Sequence, residues 1–192
     1  MPTVLTLKSK QRRMMEFYNA IGQHFMTYLA VGYSSNWTNN PPIPLETDTL
    51  DTYGTELLGY QNYKEILFAR VILNPTEEQK DTAVYYKDCY YETISDYQRA
   101  LDEGYTRIMM RFVLDKDEYF PVVDGNGNST MYNVLGMVTG VNPGDLSDTY
   151  FITPNDFNNR VADQGTLELI STRSIISRSA DQTEDIIILL EF

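Results

Sequence analysis

Apolar and polar positions recur along this chain with periods that change from segment to segment. Met14, Phe17, Tyr18 and Ile21 fall at i, i+3, i+4, i+7, the spacing of one helix face. Ser9 reads as the N-cap of that helix and Gly22 as its closing residue. The aromatic and aliphatic run from His24 to Tyr33 reads as a strand. Ser34 to Asp51 is rich in Ser, Asn, Thr and Pro, and Pro41, Pro42 and Pro44 cannot donate ladder hydrogen bonds. This stretch is expected to be an extended loop, and it carries Trp37, the single tryptophan.

Tyr63 to Leu73 reads as a strand apolar on both faces, ended by Asn74-Pro75. Glu77 to Asp81 is a charged turn or a short helical piece. Val84 to Tyr91 alternates as one strand, with Tyr86, Asp88 and Tyr90 on one face and Tyr85, Lys87, Cys89 and Tyr91 on the other. Ser95 with Gln98 matches a capping box for a short helix through Tyr97, Ala100 and Leu101, closed by Gly104. Arg107 to Leu114 reads as a strand, and Tyr119 to Val123 continues or follows it. The turn signal from Asp124 to Ser129 makes Thr130 to Val141 the return strand of a hairpin. After a weakly patterned loop, Thr166 to Ser171, Ile175 to Arg178 and the aliphatic run Ile186 to Leu190 read as strands. The last is apolar enough to require docking inside a sheet.

The sum is a mainly β chain with two short helices, an α+β class. The expected architecture is one domain over residues 1–192. Its β-sandwich core is built from about 1–75 and 166–192, with a mostly β middle section over 76–165. A length of 192 residues with 42% hydrophobic content suits one such core.

Charge narrows the function. With 27 acids against 15 bases the net charge is −12, which argues against a nucleic-acid binder or an anionic membrane surface. No apolar run is long enough to span a bilayer, and the N-terminus lacks the pattern of a secretory signal. Cys89 and His24 are each the only residue of their kind, so one chain offers neither an internal disulfide nor a Cys/His zinc set. Asp124, Asn126 and Asn128 have the 1, 3, 5 spacing of a calcium loop. Ser129 and Leu135 replace its glycine and its bidentate acid, so a plain turn is expected. There is no nucleophile elbow, Walker loop or dinucleotide fingerprint. Adjacent acids such as Asp115, Asp117 and Glu118 are inevitable in so acidic a chain. No catalytic residue, metal ligand or cofactor site is therefore expected, and the chain reads as a non-enzyme.

Interaction is the better-supported theme. Lys10, Arg12 and Arg13 crowd the start of the first helix, where the macrodipole disfavours cations; they are either a solvated arm or a contact for an acidic neighbour. Fifteen tyrosines, clustered at 85, 86, 90 and 91, suit an interface as well as they suit strands. Trp37 is either an interface anchor or a cap on its own core.

The segment from Arg13 to Gly22, the strand after it, Gly32 to Trp37 and the Pro41-Pro42 loop resemble the start of the T4-type baseplate wedge protein family, the product of gene eight. Arg173 to Ser179 and Asp181 to Phe192 resemble that family's C-terminal strands, with a weaker likeness around Tyr63 to Pro75. By this resemblance the chain is expected to be a short form that lacks the long members' large insertions. The resemblance implies a structural subunit of a contractile-tail baseplate that binds itself as a homodimer and other wedge proteins, within virions assembled in the host cytoplasm. A receptor- or carbohydrate-binding tail module is the alternative. Lys10, Arg12, Arg13, Tyr33, Trp37, Pro41, Pro42, Tyr86 and Tyr90 are the candidate partner-contacting residues.

Overall fold

The computed structural model describes residues 4–23, 26–33, 37, 39–49, 56–62, 65–114, 130–142, 144, 151–152, 165–178 and 183–192. In chain order its elements are α1 (Leu7–Gln23), β1 (Met26–Tyr33), β2 (Glu56–Asn62), β3 (Glu65–Ile72), α2 (Glu77–Thr82), β4 (Val84–Tyr86), β5 (Cys89–Ile94), α3 (Tyr97–Asp102), β6 (Arg107–Leu114), β7 (Thr130–Val141), β8 (Phe151–Ile152), β9 (Thr166–Arg178) and β10 (Glu184–Glu191). The strands form two five-stranded sheets, ordered β8-β2-β1-β7-β9 and β10-β6-β3-β5-β4. This is the mainly β, sandwich-like α+β class that the pattern implies.

Local chemistry sets the helix starts. The Ser9 amide donates to Thr6 Oγ1 at 3.2 Å and the Lys10 amide to the Thr6 carbonyl at 3.0 Å, so Thr6 caps α1 and Ser9 lies inside its first turn. Thr76 and Gln79 form a reciprocal capping box on α2, which resolves the Glu77 to Asp81 stretch as helix. On α3 the cap is Asp96, whose carboxylate accepts from the Arg99 amide at 2.8 Å, in place of the expected Ser95.

Other expectations are corrected by the pairing. Val84 to Tyr91 is a tight hairpin, because Lys87 and Asp88 adopt left-handed φ of 46° and 61° and reverse the chain. Tyr86 pairs with Cys89 and Tyr85 with Tyr90, so Tyr86 and Tyr90 point to opposite faces. β7 pairs with β1 on one side and β9 on the other; Tyr119 to Val123 and the turn of the expected hairpin lie outside the described residues. Thr166 to Arg178 is a single strand whose register slips between Tyr132 and Val134 and between Met137 and Val138 of β7. β10 is docked in its sheet as expected, beside β6 with Ile186 and Ile188 buried, and is the outermost strand there among the described residues. The expected calcium-like turn at 124–135 begins outside the described residues, as does His24.

The chain divides into two compact units, the first made of 1–19, 64–111 and 187–192, the second of 20–63 and 112–186. In the first, α1 and α3 cover one sheet face. Tyr18 lies against Phe68 (centroids 4.8 Å) and Tyr97 (5.9 Å), and Phe17 lies against Phe192 (5.4 Å). The opposite face carries a second cluster, with Ala69, Tyr91 and Met109 buried beneath Val71, Val84, Tyr86, Cys89, Ile187 and Leu189. In the second unit Tyr28, Leu29, Ala30, Val31, Tyr132, Val134 and Met137 are buried. Successive buried residues in β1 mean that both of its faces are covered. Gly165 meets β7 closely: its φ is +72°, and a Cβ there would lie 2.2 Å from the Thr139 carbonyl oxygen.

Candidate interaction surfaces

β9 is the long outer strand of the first sheet, and the proline-rich segment lies against it. Trp37 Nε1 donates to the Arg173 main-chain oxygen at 3.1 Å, and Thr172 Oγ1 donates to the Pro42 carbonyl. Asn133, fully buried in β7, donates through Nδ2 to the Trp37 carbonyl at 3.4 Å. A buried amide needs such a partner, and the irregular backbone of the loop supplies it. Beside this contact the Arg173 guanidinium sits 5.3 Å from the Tyr132 ring centre, and the Tyr132 hydroxyl donates to the Glu184 carboxylate. Trp37 and Pro41 are half-buried and Pro42 is exposed, so the segment is partly folded onto its own unit and partly presented outward. Tyr33 ends β1, half-buried opposite Glu56.

The basic residues of α1 remain at the surface. Arg12 and Glu16 approach to 3.6 Å, but their side chains are 71% and 68% exposed, so solvent screens the pair and it contributes little. Arg13 is exposed and Lys10 half-buried. What holds this end of the helix is Gln11, whose Nε2 donates to the Leu101 carbonyl at 2.7 Å.

The tyrosine hairpin divides its aromatics between two faces. Tyr90 stacks at 4.8 Å on Tyr85, whose hydroxyl donates to Asp88 at 3.1 Å; that hydrogen bond pushes the Tyr85 phenol pKa up. Tyr86 belongs to the opposite face, with the Lys87 ammonium 5.3 Å from its ring centre. Sequence reasoning missed the nearby charge cluster. Arg70 pairs with Glu92 at 2.5 Å and Glu103 at 3.5 Å, Arg99 pairs with the same two acids at 3.1 and 2.6 Å, and the Arg70 guanidinium sits 4.8 Å from the Tyr105 ring centre. No periodicity signals this cluster, because its members come from three separate elements and a turn.

Among the described residues no group of His, Cys, Asp or Glu could hold a metal ion. No described helix is long and apolar enough to cross a membrane. Cys89 is a free thiol, half-buried in β5.

These clusters fasten strands, helices and a loop to one another, the construction of a β-rich structural subunit. A family model described as baseplate wedge 3 tail fiber network component matches residues 19–192, and the chain belongs to this family. It is accordingly a structural component of the bacteriophage tail baseplate, and the virion tail is its location. The likeness to baseplate wedge proteins seen in the sequence is thereby upheld at the level of the wedge family. A search of curated proteins finds no match.

Proposed function

We propose that this chain is an assembly subunit that joins neighbouring wedge proteins and carries out no chemistry of its own. The observation that supports the reading is the family match across residues 19–192. Within that family we place it nearest the T4-type product of gene eight, in a short form that folds in the host cytoplasm before entering the particle. It acts as a homodimer. At −12 per chain two copies repel at long range. Apolar and tyrosine area must therefore dominate their contact, or Lys10, Arg12 and Arg13 must meet acids of the partner.

Light scattering across a salt series separates these cases. A dimer that persists or tightens with salt has an apolar contact, and one that dissociates rests on the basic residues. A monomer at every salt and protein concentration removes the solution dimer. Imaging of the assembled particle tests the wedge role itself, and density for this chain outside the baseplate would overturn it.

A further inference from the structure

We propose that Pro41-Pro42-Ile43-Pro44-Leu45 is a preformed polyproline-type ligand that docks into an aromatic-lined groove, basic at its rim, on a neighbouring protein. The inference deepens the assembly reading given above and rests on it for where that neighbour sits. The ligand itself rests on backbone restriction, burial and hydrogen bonding.

Three prolines restrict this stretch. Each holds its own φ near about −65°. Asn40 and Ile43 each precede a proline, which pushes them to extended backbone. Residues 41–45 join neither helix nor strand, and no residue from 39 to 49 has a left-handed φ. These restrictions leave the polyproline II helix, with about three residues per turn. Burial follows that period: Pro41 and Pro44 are half-buried, whereas Pro42, Ile43, Leu45 and Glu46 are exposed. One edge of the helix therefore lies on its own unit. The other two face outward, Pro42 with Leu45 and Ile43 with Glu46.

The segment is also held in place. Thr172 Oγ1 donates to the Pro42 carbonyl, and Trp37 upstream is tied to the Arg173 main chain. Downstream, the Leu45 amide donates to the Asp48 carboxylate at 2.6 Å and the Asp48 amide to the Leu45 carbonyl at 3.0 Å. The chain has already met the cost of ordering, so a partner need not supply it. Ile43 is 87% exposed and Leu45 66%. One exposed aliphatic signifies little. Two on the outward edges of an anchored proline helix form a regular apolar relief.

Chemistry selects the occupant. Polyproline helices are read by grooves walled with aromatic rings, whose faces seat the proline and aliphatic side chains. Glu46 extends the Ile43 edge, and the chain carries −12, so the groove needs basic residues at that end. A second copy fits poorly, because it brings the same acid excess. The contact is small and works beside larger wedge contacts that keep the two surfaces at high local concentration.

The test uses the whole chain, free and within purified virions. In the free chain, backbone ¹⁵N relaxation at Ile43 should give an order parameter near about 0.85, that of rigid backbone. A value below about 0.6 means that nothing is preformed and overturns the proposal. In virions, Ile43→p-benzoylphenylalanine is photo-cross-linked and the joined peptide is identified by mass spectrometry. The expected cross-link lies in a different protein, on a surface carrying Trp, Tyr or Phe with Lys or Arg beside them. A cross-link to a second copy, one to a surface without aromatics, or none at all overturns the proposal. Parent and variant chains expressed together give a third readout, their ratio in virions. Ile43→Val should enter like the parent and Ile43→Asp at least about fivefold less, with the melting temperature unchanged in both. Equal entry of Ile43→Asp sinks the docking role. The wedge role is overturned only by density outside the baseplate, so the two readings fail separately.

Discussion

The indole Nε1 of Trp37 donates to the main-chain oxygen of Arg173 at 3.1 Å, tying the proline-rich segment to the outer strand of the first sheet. Trp37→Phe keeps an aromatic ring and removes this donor. The expected loss is about 1 kcal/mol, read as a melting temperature lower by about 2–4 °C for a chain of this size. Trp37→Ala removes the ring as well and costs more. Because Trp37 is the only tryptophan, its fluorescence in the native protein reports the segment directly. A Trp37→Phe protein that melts like the parent yet fails to enter wedges would show that the side chain serves a neighbour instead.

Gly165 is irreplaceable for two reasons acting together, its left-handed φ and the approach of Thr139. Gly165→Ala places a methyl against a carbonyl oxygen that belongs to the β7–β9 ladder. A drop of about 1–3 kcal/mol is expected in denaturant unfolding. Gly104, also left-handed at φ +78°, has only the flexible Leu7 side chain within reach. Gly104→Ala should therefore be the milder change, and equal losses at the two sites would contradict the close-approach argument.

Glu92 titrates below its ordinary 4.5, chiefly because it accepts a hydrogen bond from Arg70. A carboxylate held low in the folded chain stabilises it at pH values above the unfolded pKa, and that contribution fades as pH falls through the folded value. Glu92→Gln should lower stability at neutral pH and flatten the acid limb, so that variant and parent converge in strong acid. The effect is modest, since the group is a third exposed. Parallel pH–stability curves would show that Glu92 contributes no such linkage.

Burial pushes the phenol of Tyr28 up from 10.0 to about 12. A group raised in this way favours the folded chain below the unfolded pKa and loses that contribution as pH climbs to the folded value. Stability should therefore fall between about pH 10 and 12. Tyr28→Phe should move this alkaline midpoint upward, measured by circular dichroism against pH. An unchanged midpoint would assign the alkaline transition to other groups.

Much of this was legible in the chain. β6 was read with both its bounds, because it is a compact apolar run, and its successive buried residues Ile108, Met109 and Met110 show both of its faces covered. The hairpin at Val84 to Tyr91 was read as one strand because its turn residues, Lys87 and Asp88, are not the Asn-Gly pair that announces such a reversal. β2 was not read at all: Glu-Leu-Leu-Gly-Tyr-Gln-Asn has polar ends and a central glycine, and its strand state comes from pairing with β1. Trp37 stood out at once, yet its bond to Arg173 did not, since 136 positions separate the two. The edge position of β10 is likewise a property of strand order, which no local pattern carries.

The patchwork make-up of the first unit has a consequence during synthesis. Its helix, its central strands and its closing strand come from three stretches separated by segments that belong to the second unit. The ribosome delivers residues 64–111 long before 187–192, so until the final strand emerges Phe17 has no Phe192 and β6 no β10 on its flank. A prematurely terminated chain thus exposes unfinished apolar surface to chaperones and proteases. Only chains translated through Phe192 present a finished first unit to the growing baseplate.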